Sequence, residues 1–355
     1  MHLGIVGLPN VGKSSLFNAL TKGNAAASNY PFCTVDPNVG VAPVPDERLA
    51  RLAALYKPEK VVPTILKLVD IAGLVKGASR GEGMGNQFLS HVREADGLLL
   101  VCRCFEDGAV VNTQPRLDPA AEAETILTEL MLADLEQATR AREKLLGAAR
   151  SGDEKSRDVV ALLDRVIVQL GEGRLIRRLE DWVSIEPALH TYQFMTAKPL
   201  LLVANVGDAG DLLTLPGWAG PHGLDIVPVP VKVENELGGL DEASQAAFRT
   251  ELGVQESGLE RIVVGGYRLL GLITFYTVGP DEVRAWTVPD GAPAPRAARE
   301  IHTDLEKGFI RAEAMSSDDL LRLGSEKAVK DAGLLRSEGK AYRVRDGDVL
   351  HILFK

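Results

Sequence analysis

The sequence contains few cysteines and no long hydrophobic run, and each of these shortages excludes a class of protein. Only three of its 355 residues are cysteines, and 5% are aromatic. Three cysteines are too few for a disulfide-stapled domain or a four-cysteine zinc site. No apolar run reaches the roughly eighteen residues that a membrane-spanning helix needs. The first residues, MHLGIVGLPN, lack the pattern of a signal peptide. We therefore expect a globular protein of the reducing cytoplasm, without a membrane partner.

An excess of positive charge is also absent. The chain has 40 Lys and Arg against 49 Asp and Glu, a formal net charge of -9. This balance opposes non-specific attachment to nucleic acid, so a nucleic-acid partner would have to be met by a local patch. A hydrophobic fraction of 45% is that of soluble globular domains. The length leaves room for two or three of them.

Near-continuous apolar segments, separated by helical patterns, predict an α/β fold. Such runs are typical of strands buried on both faces of a parallel sheet, and we expect a doubly wound, mostly parallel sheet. Its ligand sites should lie at the carboxyl ends of the strands. The segments are residues 3–6, 65–71, 97–104, 199–205 and 226–231.

Two further parts of the chain have different residue patterns. Residues 122–150 and 156–179 show helical apolar spacing and are interrupted at Ser151-Gly152-Asp153, which predicts an inserted antiparallel helical hairpin. A partner-binding coiled coil is the alternative. After residue 271 the segments become β-rich, with helices near residues 297–308 and 317–323, as in a small α+β domain.

Asp346-Gly347 in this last part is a hairpin signal and predicts that the tail is folded into a sheet. The predicted domains are residues 1–118 with 191–270, the insert 119–190, and 271–355.

The segment GLPNVGKS, residues 7–14, matches GxxxxGK[ST] between a predicted strand and a predicted helix. Glycines let backbone N–H groups surround phosphates, and the helix N-terminus adds partial positive charge. Lys13 would neutralise the β- and γ-phosphates, and the Ser14 hydroxyl would bind Mg²⁺. We therefore expect nucleotide contacts from this loop and the helix after it, at Asn10, Val11, Gly12, Lys13, Ser14 and Ser15.

The segment DIAG, residues 70–73, ends the second predicted strand. Asp70 there can hold Mg²⁺ through water, while the Gly73 N–H can contact the γ-phosphate. Thr34 lies in a loop between the two motifs and is the candidate that completes the Mg²⁺ shell. The predicted metal site is thus Ser14, Thr34 and Asp70, and the predicted catalytic set is Lys13, Thr34, Asp70 and Gly73.

The residue after DIAG is Leu74, where many GTPases have the glutamine that orients the attacking water. Slow intrinsic hydrolysis is one consequence. The alternative is a water positioned by another group, a partner or a monovalent cation. Asn10 could coordinate K⁺ beside the phosphates, or it could simply shape the loop.

Base recognition is expected at residues 205–208, NVGD, which resembles the guanine-reading NKxD signature without its lysine. The Asp208 carboxylate suits two N–H donors on a guanine edge, which favours GTP. Residues 230–232, PVK, match the expected SAK element poorly and weaken that argument. The predicted base contacts are Asn205, Val206 and Asp208.

Together these segments resemble the YchF subfamily of the Obg-related translation-factor GTPases. The shared stretches include GIVGLPNVGKSSLFNALT, NYPFCTVDPN, VDIAGLVKGASRGEGMGNQFLSHVRE and RCFED, while YRLLGLITFYTVGPDEVRAWTV, IHTDLEKGFIRAE and YRVRDGDVLHILF resemble the family's TGS domain. The resemblance implies a Mg²⁺-dependent nucleotide hydrolase that binds the large ribosomal subunit, with a β-grasp TGS domain. It also implies a preference for ATP over GTP, linked in the family to NxxE in place of NKxD.

The chain departs from this pattern at two positions. Asp208 stands where the family has Glu, and Asn112 stands where related sequences have a histidine thought to assist hydrolysis. We still expect ATP to be favoured, with a GTPase in the same switch role as the alternative. A different class of function is the further alternative: a ribosome-binding scaffold that nucleotide stabilises and that hydrolyses little of it. A small-molecule kinase is disfavoured by the DIAG and NVGD segments.

Overall fold

A computed structural model describes residues 1–22, 38–71, 84–106, 116–207, 211–241, 244–245, 247–248 and 257–355. The chain forms two compact units. The first comprises Met1–Val41 and Lys67–Ile262, and the second comprises Ala42–Leu66 and Val263–Lys355. The domain boundaries predicted from the sequence differ from this division, because they place residues 42–66 in the first domain.

The first unit is built on a sheet whose strands have the order β2-β4-β1-β5-β6-β7. With elements numbered along the whole chain, its strands are β1 His2–Val6, β2 Val39–Pro43, β4 Ile65–Asp70, β5 Gly97–Cys104, β6 Leu200–Val206 and β7 Ile226–Val229. The pairs β4–β1, β1–β5, β5–β6 and β6–β7 are all parallel. The bonds Asp70 N–H to Asn38 O and Val44 N–H to Thr64 O have the opposite order along β2 and β4, as in an antiparallel pair. The prediction of a mostly parallel α/β sheet is confirmed.

The central strands β5 and β6 are buried along their whole length. Their continuous apolar sequences fit positions covered by helices on both faces of the sheet. The helices of this unit are α1 Lys13–Lys22, α3 Met84–Glu94, α4 Pro119–Arg150, α5 Glu154–Gly171, α6 Trp182–Leu189, α7 Leu215–His222, α8 Val231–Leu237 and α9 Gly258–Leu269, the last of which continues into the second unit. Strands β1, β4, β5 and β6 run in the same direction, so the loops after them meet at one edge.

The helical hairpin lies where the sequence predicts it, with α4 and α5 separated by residues 151–153. Asp118 and Asp153 cap the two helices by accepting backbone N–H groups in their first turns. The second helix ends at Gly171 rather than at residue 179, and a short 3₁₀ turn follows at Ile176–Arg178. Asp134 of α4 is fully buried and accepts the N–H groups of Met195 and Thr196, which fixes the hairpin to the segment before β6.

The second unit contains a sheet with the strand order β11-β10-β12-β8-β9-β3. Its strands are β3 Lys60–Val62, β8 Leu272–Thr277, β9 Glu282–Pro289, β10 Phe309–Ser316, β11 Arg336–Glu338 and β12 Asp348–Phe354, and its helices are α2 Glu47–Tyr56, α10 Ala294–Ile301, α11 Thr303–Lys307, α12 Ser317–Leu323 and α13 Glu326–Asp331. Helix α2 comes from residues 42–66, and its Leu49 and Leu52 pack in one core with Tyr276 and Val349. The early segment is therefore an integral part of this unit.

Two local expectations for this unit need correction. The helix predicted near residues 297–308 is two helices, because His302 is extended and its ring accepts the Asp304 N–H to start the second one. The hairpin predicted at Asp346-Gly347 is wrong. The strand after this turn, β12, pairs with β10 and β8, so the turn does not join two neighbouring strands. The C-terminus is nevertheless folded into the sheet, as expected.

Among the helices that the structure describes, none has the length and apolar character of a membrane span.

Candidate nucleotide-binding site

The loop between β1 and α1 has the backbone shape that its glycines allow. Asn10 and Gly12 have φ values of 63° and 98°, in the left-handed region that glycine and asparagine tolerate best. A Cβ atom on Gly12 would lie 2.3 Å from Asn205 Nδ2, and one on Gly7 would lie 2.7 Å from the Val101 carbonyl oxygen. The glycines thus permit close approach to two neighbouring strands. The conformation of Asn10 supports the loop-shaping interpretation, and its K⁺ role stays a prediction.

Lys13 and Ser14 begin the helix after this loop. Lys13 is only 8% exposed, and its Nζ donates a 2.7 Å hydrogen bond to the Leu8 carbonyl oxygen. Burial lowers the pKa of Lys13, while the carboxylates of Asp70 and Glu122 act in the opposite direction. A buried ammonium group inside a curled loop is suited to bind phosphate oxygens.

The predicted metal ligands Ser14 and Asp70 are brought together. The Ser14 hydroxyl donates to Asp70 Oδ2 at 2.9 Å, although the two residues are far apart in the sequence. A hydroxyl and a carboxylate are the hard oxygen donors that Mg²⁺ prefers, and Mg²⁺ in such sites takes its other ligands from water and phosphates. No cluster of three or more His, Cys, Asp or Glu side chains that could hold a metal occurs among the described residues. The donor chemistry of Ser14 and Asp70 fits a Mg²⁺ ion that is shared with a nucleotide.

Several predicted positions lie outside the described residues. They are Thr34, Gly73, Leu74, Asn112 and Asp208.

A cavity of about 800 Å³ adjoins the loop within the first unit. Asn10, Gly12 and Ser15 line one part of it, and residues after β5, β6 and β7 line another. Its volume is within the range of small-molecule and cofactor sites, and its position at the carboxyl edge of the parallel strands is where such sheets bind ligands. Val206, the last residue of β6, also lines the cavity, and its contact with the base stays a prediction.

Asn205 also lines this cavity and is 5% exposed. Its Nδ2 donates to the Val11 carbonyl oxygen at 2.9 Å, and its Oδ1 accepts the Val231 N–H at 3.4 Å. The side chain therefore joins the phosphate loop to the start of α8. The sequence predicts a base contact at this position. In the structure the Asn205 amide forms hydrogen bonds with the backbone of two other segments.

Some residues of the site were missed by the sequence analysis. Asn235 of α8 donates to the carbonyl oxygens of Ser15 and Val231, and it lines the cavity. No motif marks it, because it is brought to α1 only by the packing of α8. Arg103 of β5 lies 4.7 Å from the centre of the Phe105 ring, and its Nε donates to the Phe105 carbonyl oxygen. An arginine inside the otherwise apolar run GLLLVCRC was the available signal.

Glu122, in the first turn of α4, was also missed. It is 6% exposed, and its Oε2 accepts the Arg103 N–H at 3.1 Å. Burial raises the pKa of the Glu122 carboxyl, and the Arg103 N–H opposes this shift. The nearby thiols of Cys102 and Cys104 are also buried, and burial raises the pKa of Cys104 to about 12. Cys104 is therefore an unreactive thiol at neutral pH.

Comparisons with known proteins show which families this chain resembles. A family model described as a 50S ribosome-binding GTPase matches residues 2–141. The family model YchF-GTPase_C, described as a protein of unknown function, matches residues 272–355.

Relatives align along the whole chain. The "Ribosome-binding ATPase YchF" of Escherichia coli O157:H7 is 46% identical over 356 residues, which cover 99% of this chain and 98% of the relative. The protein of the same description from Bacillus subtilis is 42% identical over 359 residues, with the same coverage. Among solved structures, the YchF GTPase of Schizosaccharomyces pombe superposes with a TM-score of 0.90 at 34% identity, covering 99% of this chain and 97% of that one.

Proposed function

Because the chain belongs to the YchF family and is a P-loop nucleotide hydrolase, we propose that it hydrolyses nucleoside triphosphates with Mg²⁺ as a ribosome-associated switch. ATP is the favoured nucleotide. The nucleotide domain carries the helical hairpin as an insert, and the C-terminal domain is of the TGS type. The observation that carries the proposal is the 2.9 Å contact between Ser14 and Asp70 beside the buried Lys13.

Different residues of the site bind the phosphates and the metal. Lys13 and the N–H groups of the loop bind the β- and γ-phosphates, and Ser14 and Asp70 orient the metal. When bound, Mg²⁺ neutralises part of the phosphate charge that develops during transfer. Thr34 and Gly73 complete the site when a triphosphate is present, which makes their loops sensitive to the nucleotide state.

The proposed preference for ATP depends on the residues predicted to contact the base, at positions 205–208. Val206 stands where guanine-reading sites have lysine, and the full-length bacterial relatives are named ATPases, although the S. pombe relative is named a GTPase. Asp208 favours guanine, so its carboxylate opposes the loss of the lysine. In this proposal the missing lysine outweighs the carboxylate.

Parallel titrations of nucleotide-stripped protein with ATP and GTP in Mg²⁺ test this preference. We expect tighter ATP binding by the unaltered chain, a shift towards GTP in Val206→Lys, and a shift towards ATP in Asp208→Glu. Asn18→Ala, on α1 where that helix lines the cavity, serves as the matched control that leaves the ATP/GTP ratio unchanged. Tighter GTP binding by the unaltered chain would contradict the proposed preference.

The ribosome enters the proposal through the family, since relatives along the full chain are described as ribosome-binding. A nucleotide-dependent change in the Thr34 and Gly73 loops would alter the affinity for such a partner, and hydrolysis would reset it. Co-sedimentation of the protein with ribosomes in the presence of ATP, ADP or no nucleotide measures this directly. Equal binding in all three conditions would contradict the switch.

A further inference from the structure

Glu122 is a buried carboxylate at the root of the helical hairpin, and no part of the phosphate-loop motif requires it. It lies in the first turn of α4 and is 6% exposed. A buried charge is costly unless other groups compensate it. Glu122 accepts the Arg103 N–H at the β5 backbone, and the cations that act on its charge among the described residues are Arg103 and Lys13.

The packing around β5 places this carboxylate on the side of Lys13. Gly7 lies against the Val101 carbonyl oxygen, and the position of a Gly7 Cβ is 3.3 Å from Lys13 Cδ. Residues two apart in a strand direct their backbone groups to the same edge, so the Arg103 N–H that Glu122 accepts faces the same edge of β5 as the Val101 carbonyl oxygen, where Gly7 and the Lys13 side chain lie. The charged groups that act on the Glu122 carboxyl are Arg103 of β5, Asp118 at the start of α4 and Lys13 of α1.

We propose that Glu122 is a positioning residue that competes with nucleotide phosphates for the Lys13 ammonium group. Without nucleotide, its negative charge balances Lys13 while the lysine donates to the Leu8 carbonyl oxygen. When a triphosphate binds, Lys13 turns to the phosphates, and the same carboxylate repels them. Glu122 thus weakens triphosphate binding, and it does so from the first turn of the hairpin.

The consequence is a link between the hairpin and the phosphate site. Coupling between two sites is reciprocal. A partner that moves the root of α4 changes the affinity for triphosphate, and a bound triphosphate changes the stability of that first turn. The inference rests on the proposed function, because it assumes that Lys13 binds phosphates.

Nucleotide titrations of Glu122→Gln test the proposal. Glutamine has nearly the same shape and still accepts the Arg103 N–H through its amide oxygen, so only the charge is removed. With the carboxylate charge removed, we expect triphosphate binding to tighten by on the order of tenfold, the effect of one unit charge on another roughly 12 Å away at an effective dielectric constant of about 20. Binding of the nucleoside monophosphate should not change, since Lys13 does not reach its single phosphate.

Two control variants separate the charge from the fold. Glu124→Gln removes an exposed carboxylate from the same helix turn, one that binds Trp218, and should leave triphosphate affinity unchanged. Glu122→Asp keeps the charge but shortens the side chain, so it should bind triphosphate like the unaltered chain even if the Arg103 bond is lost.

An unchanged or weaker triphosphate affinity in Glu122→Gln would overturn the inference, and so would an equal change for the monophosphate. Lys13→Ala, measured alongside, distinguishes this failure from a failure of the proposed function. If Lys13→Ala loses triphosphate binding while Glu122→Gln has no effect, the site stands and the role of Glu122 does not. If Lys13→Ala binds triphosphate normally, both proposals fall.

Discussion

Replacing Asn205 by alanine should loosen the phosphate loop and destabilise the first unit together. Its amide holds the Val11 carbonyl oxygen and the Val231 N–H from a position that is 5% exposed. Truncation leaves both backbone groups unpaired, and an unsatisfied buried group costs about 1–3 kcal/mol. The Val231 bond is long at 3.4 Å and contributes the smaller part. We expect a loss of about 2–4 kcal/mol in the free energy of unfolding.

Urea unfolding monitored by the fluorescence of Trp182, which is buried in the first unit, measures this loss. Asn235→Ala is the matched control, because its amide binds two carbonyl oxygens from a more exposed position and should cost under about 1 kcal/mol. Asn205→Asp adds a sharper test. It keeps the acceptor for Val231 but places a carboxylate oxygen against the Val11 carbonyl, so it should be at least as destabilising as alanine. An Asn205→Ala chain within about 0.5 kcal/mol of the unaltered one would refute this reasoning.

Three further predictions follow from buried or paired groups. Lys13→Ala should abolish tight triphosphate binding, measured by equilibrium titration, whereas retained affinity would remove Lys13 from the site. Leu52→Ala, at a fully buried position of the second unit, should cost about 2–5 kcal/mol in unfolding followed by Trp286 fluorescence; a negligible cost would mean that residues 42–66 do not belong to its core. The hydrogen bond from His2 lowers the pKa of Asp96, so its stabilisation is present above the ordinary carboxyl pKa and disappears as the pH falls through the lowered value. Asp96→Asn should therefore reduce stability at pH 7 and match the unaltered chain in acid, and a deficit that persists in acid would contradict this assignment.

Local and contiguous signals were sufficient for much of the fold and the phosphate loop. Strand β5 begins and ends where its apolar run does, since such a run has few alternatives in a parallel sheet. The glycines and the lysine of the phosphate loop all lie within residues 7–14, so the motif can be identified from one contiguous segment. The role of Asp70 as a metal ligand was predicted from its position at the end of a predicted strand.

Features that depend on packing between distant segments could not be predicted in this way. Residues 42–66 join the second unit through Leu49 and Leu52, and nothing in their own pattern identifies the strands that they cover. Asn235 reaches Ser15 only because α8 packs on α1. At Asp346-Gly347 the local turn signal was correct, but the strand after it finds its partners elsewhere in the sheet.

The most direct test of the central claim is the turnover of ATP and GTP by purified, nucleotide-stripped protein, with and without Mg²⁺ and with and without ribosomes. We predict Mg²⁺-dependent hydrolysis that favours ATP and is stimulated by ribosomes, and that is lost in Ser14→Ala. Absence of turnover under every condition, despite tight nucleotide binding, would contradict the account and identify the chain as a nucleotide-stabilised scaffold.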